Sequence, residues 1–171
     1  MSFNIFDDDY DLSHIIAKPL YFGMGVNILL PAILLFVCFH FNNKGTIGNS
    51  AGEMADPMFA IFVVLAAAEA GLAFWLRQKL LKVPMVRSEA SFEEDIREQL
   101  ALRTRPVFLL IASIALWGIV YFFVTGRFEP AMLFVVLSFI VFQFVRPRAG
   151  SVRKLIRYQK ELIDRGEFFK G

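Results

Sequence analysis

Residues 107–124 read VFLLIASIALWGIVYFFV, 18 positions without a charge. A helix rises ~1.5 Å per residue, so about 20 apolar positions cross a bilayer core of ~30 Å. Working outward, Arg105 and Pro106 precede this stretch, and Gly126 to Glu129 follow it before a second apolar run from Pro130 to Val145. So short a connection predicts a tight antiparallel hairpin. The 130–145 run is the shorter of the two, which predicts an upright helix or a locally thinned bilayer.

Two more runs lie upstream. One extends over 19–41, with Tyr21 and Phe22 at its entrance and Pro31 near its middle, where a missing amide donor should bend the helix. The other covers 57–76, with Pro57 in its first turn and Trp75 followed by Arg77 as an interfacial close. The chain of 171 residues is 57% hydrophobic and holds 20 Phe, more apolar surface than one soluble core of this size can hide. The expected fold is therefore an all-α integral membrane protein with four transmembrane helices in one domain, 19–145. An acidic segment, 1–18, precedes it and a basic tail, 146–171, follows. Asp7, Asp8, Asp9 and Asp11 replace the basic leader of a cleavable signal, and no small-residue cleavage site follows, so this segment is expected to stay attached.

Orientation follows from the cations. Of the 18 Lys and Arg residues, 15 lie in two segments, Arg77 to Arg105 and Arg146 onward; the opposite loops hold Lys44 and Arg127, and the N-terminal segment holds Lys18. Because cytoplasmic loops retain positive charge, both termini and the middle loop are expected inside, an N-in/C-in arrangement suited to a bacterial inner membrane.

Two further helices are expected on that face. Ser91 and Glu94 have capping-box spacing, and Phe92, Ile96 and Leu100 recur every four residues between Pro84 and Pro106, which predicts a short amphipathic helix between the second and third spans. In the tail, Val152, Leu155, Ile156, Gln159, Leu162 and Ile163 form one stripe opposite Arg153, Lys154, Arg157, Lys160 and Arg165. This basic amphipathic C-terminal helix could dock a protein partner or anionic headgroups through Arg153, Lys154, Arg157 and Lys160. The plainer expectation is that the two helices lie on the interface or pack on each other.

Few residues inside the spans are polar, and Glu69, within Ala66-Ala67-Ala68-Glu69-Ala70-Gly71, is the costliest to bury. Ala66 with Ala70 and Ala67 with Gly71 have small-xxx-small spacing, so this face is expected to pack on another helix. Counted from the cytoplasmic ends of their spans, Asn27, Glu69, Ser113 and Ser138 all fall ~10 Å deep, which predicts one polar layer with Asn27 as the partner of Glu69. Two readings follow. The layer is a hydrogen-bonded clasp that fixes helix register, or Glu69 binds a proton or cation.

The carboxyl flanked by Ala and Gly resembles the second helix of the proteolipid ring subunits of rotary ATP synthases. The likeness is confined to the residues around Glu69. The first span lacks that family's glycine alternation, and the loop 42–56, with Lys44 alone, is expected on the outer side where the family has a cytoplasmic one.

Catalytic signatures are absent: no phosphate-cradling Gly-rich loop with a following Lys-Ser/Thr, no Gly-x-Ser-x-Gly, no His-Glu-x-x-His and no Cys-x-x-Cys. Only one carboxylate lies deep, so intramembrane hydrolysis lacks its pair. A lone Cys38 and two His residues make neither a disulfide nor an ordinary zinc site, so no metal or cofactor is expected. The basic face lacks interleaved aromatics, which disfavours nucleic acid. The expected function is a small non-enzymatic accessory, assembly or anchoring subunit; the alternative is a proton- or ion-handling subunit using Glu69.

Overall fold

The computed structural model describes residues 11–45, 47 and 52–169. The acidic stretch 1–10 and residues 46 and 48–51 of the loop expected between the first two spans lie outside them. The described residues are helical, without strand: α1 Leu12–Met24, a π-helical turn Gly25–Leu29, α2 Leu30–Asn43, α3 Ala55–Leu81, α4 Phe92–Thr125, α5 Phe128–Val145 and α6 Ala149–Asp164. Four helical stretches are long and apolar enough to cross a membrane: Leu12–Asn43, Gly52–Leu81, Glu89–Thr125 and Phe128–Val145. The chain is thus a multi-pass integral membrane protein.

Helix ends depart from the sequence reading for identifiable reasons. The first helix starts seven residues before Pro19, because Asp11 caps it, its carboxylate accepting from Ser13 N at 3.1 Å and His14 N at 3.2 Å. Pro31 follows the π-helical turn and sits in the first turn of α2, so the widened turn comes just ahead of the missing donor. The separate amphipathic helix expected before the third span is instead the first part of α4, which runs through Pro106 for 34 residues. The carbonyl that Pro106 leaves without its helical donor belongs to Leu102, a residue on the exposed side of α4 at 51% exposure. The capping box also fails. Ser91 makes no side-chain bond to the helix start and gives its hydroxyl to buried Asp95 Oδ2 at 2.7 Å, while Glu94 pairs with Arg97 at 4.0 Å.

Helix α4 is the centre of the bundle, touching α1, α2, α3 and α5. It meets α5 through the expected hairpin. Gly126, at φ 71°, ends α4 and donates to Phe122 O at 2.8 Å, in a conformation that favours glycine. Farther in, Gly118 lets α5 approach until a Cβ there would stand 2.6 Å from Phe134 Cβ and 2.9 Å from Ala131 O. Gly23 performs the same office for α1, against Phe142 and Phe108. Between α3 and α4 an edge-to-face aromatic set fills the seam, Phe59 and Phe62 each meeting Tyr121 at 5.8 and 6.2 Å between centroids.

This packing separates two glycines. Gly118→Ala should destabilise the fold by about 1–3 kcal/mol, the usual penalty of overpacking, whereas Gly71→Ala, with nothing within 4 Å, should leave stability level or slightly raised. Unfolding titrations of the two variants in mixed micelles compare them directly; equal behaviour would contradict the close α4–α5 approach.

Candidate functional site

The residues of the expected polar layer do not form one network. Glu69, half-buried on α3, faces α4, where Ser113 Oγ lies 2.8 Å from Oε2 and Trp117 Nε1 donates to Oε1 at 3.0 Å. Ser113 and Trp117 are four residues apart and share a helix face, so both reach the same carboxyl. Ser113 Oγ is also 2.6 Å from Leu110 O. Ser138 is fully buried and ties α5 to α4 by donating to Ile111 O at 3.0 Å.

Asn27 is not the partner of Glu69. It stands in the π-helical turn, 1% exposed, with Nδ2 donating to Gly23 O at 3.1 Å and Oδ1 without a donor among the described residues. Equal depth placed these residues at one level, but azimuth around each helix decides contact, and Asn27 turns into α1's own backbone. Trp117 is a partner of Glu69 that the polar layer did not include; its i,i+4 relation to Ser113 is the signal that points there. The small residues divide as well. Ala66 lies in the core with Ala70 packed against it, while Ala67 and Gly71 face outward. One of the two expected packing pairs is therefore turned to the bundle exterior.

The second site is the basic end. Here α6 lies against α1, α4 and the 82–88 loop, with Val152, Leu155 and Ile156 in a small core beside Ile15, Met85, Val86, Ile96 and Leu100. At its centre Gln159, 1% exposed, accepts from Met85 N at 2.8 Å and donates to Val83 O at 3.2 Å. A primary amide matches one N–H and one C=O of an extended segment, so Gln159 replaces the strand partner that this loop lacks. Tyr158 Oη donates to Lys82 O at 3.1 Å.

From α4, Arg103 donates to Leu80, Val83 and Pro84 carbonyls at 2.9, 3.0 and 2.7 Å, satisfying the open end of α3. Asp95 accepts from Arg87 N at 2.8 Å. The chain's last described turn closes over the loop, with Phe169 N donating to Val86 O at 2.8 Å and its ring under the guanidiniums of Arg87 and Arg103, 5.8 and 5.6 Å from its centroid.

With the apolar stripe thus occupied, Arg153, Lys154 and Arg157 point outward, exposed. Lys160, at the edge of the face, lies over the Phe92 ring at 5.9 Å. Comparisons with protein-family models, curated proteins and solved structures find no match to this chain.

The Glu69 geometry makes a graded prediction. Glu69→Gln keeps an acceptor for Trp117 and an amide for Ser113, and should change stability little. Glu69→Leu leaves the Trp117 N–H without a partner and should cost about 1–2 kcal/mol. Trp117 fluorescence, read alongside unfolding, reports whether the indole loses its bond; an unchanged emission maximum in Glu69→Leu would contradict the contact.

Proposed function

We propose that this chain is a small non-enzymatic membrane protein, an accessory or anchoring subunit of a bacterial inner membrane, whose cytoplasmic end presents a rigid basic face to an acidic partner. The observation that carries this reading is the division of α6. Its apolar stripe is buried against the protein's own loop and helices, which leaves Arg153, Lys154 and Arg157 as the surface it offers. A helix whose apolar side is already covered has little left to insert into lipid, so its contact with a partner is electrostatic and salt-sensitive. Anionic headgroups are the other acidic surface within its reach. The 15 basic residues gathered at this end support a cytoplasmic placement, with both termini inside.

A second reading draws on Ser113. Its one hydroxyl proton lies between two acceptors, Leu110 O and Glu69 Oε2. Glu69 is an ionisable side chain within a spanning helix, held by Ser113 Oγ and Trp117 Nε1, and a carboxyl so placed can exchange a proton in turnover. A proton-handling role uses this exchange; a structural clasp keeps the proton in place. Glu69→Gln separates them. It abolishes function at unchanged folded amount in the first case and preserves both in the second.

Two measurements test the main reading. In a Cys38→Ser background, cysteines at Ser88 and Ser151 should react with an impermeant maleimide only after permeabilisation, and one at Glu129 should react from outside; the reverse pattern would overturn the orientation. In mild-detergent pull-downs, a stoichiometric partner should be recovered with the wild-type chain and lost with Arg153→Glu/Lys154→Glu/Arg157→Glu at equal folded yield. Recovery unaffected by the substitutions would show that another face is used.

A further inference from the structure

After α6 the chain turns at Gly166, whose φ of 77° favours glycine, and runs back through Glu167 and Phe168 to the 82–88 loop. Phe169 ends between two cations. The guanidiniums of Arg87 and Arg103 lie over its ring, 5.8 and 5.6 Å from the centroid, and its N–H donates to Val86 O at 2.8 Å.

The two sides of this contact are unequally held. Arg103 is anchored by the carbonyls of Leu80, Val83 and Pro84 at 2.9, 3.0 and 2.7 Å, in-plane bonds that leave the faces of its planar guanidinium for a ring. Arg87 has its N–H fixed by buried Asp95 at 2.8 Å, and its guanidinium joins no ion pair among the described residues. Val86, 1% exposed, belongs to the small core beneath α6. All three groups are thus set by the fold, whether or not a ring lies among them. The occupant is held more lightly. Glu167 N closes α6 by donating to Leu162 O at 2.9 Å, and beyond it one backbone bond, from Phe169 N, ties the tail to the loop among the described residues. Phe168 and Phe169 both keep part of their surface exposed.

A fixed seat with a lightly held occupant admits exchange, because a ring on an extended backbone from another chain meets the same two cations and the same carbonyl. We propose that Arg87, Arg103 and Val86 O form a docking seat for an aromatic residue in an extended segment of a partner protein, and that Phe169 closes this seat when no partner is bound. The tail states the chemistry of that segment. It carries a ring and, on the same residue, a free N–H, which excludes proline; the seat is cationic, so acidic flanks such as Glu167 suit it. The seat lies apart from the outward Arg153, Lys154 and Arg157 of α6, and the two surfaces can fail separately.

The test is fluorescence anisotropy of a labelled peptide of residues 166–171, titrated with the full chain in micelles. A tethered tail competes at high effective concentration, so the Phe169→Ala chain should bind the peptide roughly tenfold more tightly than the wild type. A peptide in which Phe169 is replaced by Ala should lose that gain, and Arg87→Gln added to the Phe169→Ala chain should weaken binding severalfold. Phe169 lies beyond α6, so folded yield should be unchanged; if it falls, the Phe169→Leu chain, which lacks the ring but keeps an apolar side chain, serves in its place. Equal binding by the wild-type and substituted chains, binding that ignores the loss of the peptide's ring, or no binding to the substituted chain would each overturn the seat.

Discussion

The amide of Gln159 exchanges hydrogen bonds with Met85 N and Val83 O, and the arrangement of the basic end depends on it. The loop between α3 and α4 passes beneath α6 with no strand beside it; Met85 N finds its acceptor in this amide, and Val83 O accepts from both Gln159 and Arg103. By meeting them the amide fixes both the height of α6 and its rotation. That rotation sends Val152, Leu155 and Ile156 inward and Arg153, Lys154 and Arg157 outward. Arg103 reinforces the same loop from the opposite side by taking up three carbonyls at the close of α3.

Within the membrane a similar rule holds at lower density. Helices have no hydrophobic reason to associate in lipid, so close contact and a few polar bonds must do it. Gly118 and Gly23 supply the closeness, and Ser138 with Ile111 O and Glu69 with Ser113 and Trp117 supply the bonds. The polar bonds join α4 to α3 on one side and to α5 on the other, which makes α4 the helix from which the others hang.

Much of this was legible in the sequence. Apolar runs of sufficient length gave the four spans, and helical periodicity gave the stripe of α6 with Gln159 in its row, though not the bonds that its amide makes. Where the sequence misled, the reason was geometric. Depth along a helix can be counted from sequence, whereas azimuth depends on which neighbour each face meets, so Asn27 and Glu69 were set level but bond elsewhere. Proline marked an end at Pro106 because it lacks a donor, yet a single lost bond on an exposed side does not stop a helix held by packing on either side. The capping box lost to a competitor: Asp95, one residue beyond Glu94, is buried and takes the Ser91 hydroxyl.

The central claim is that α6 is held by the protein and not by the lipid surface. Hydrogen exchange of the full chain in nanodiscs of purely zwitterionic lipid tests it directly. The account predicts that the α6 amides from Val152 to Leu162 are protected to the same degree as the first turns of α4, and that adding anionic lipid changes this little. Fast exchange throughout α6 in zwitterionic nanodiscs, with protection arising only when anionic lipid is added, would contradict it.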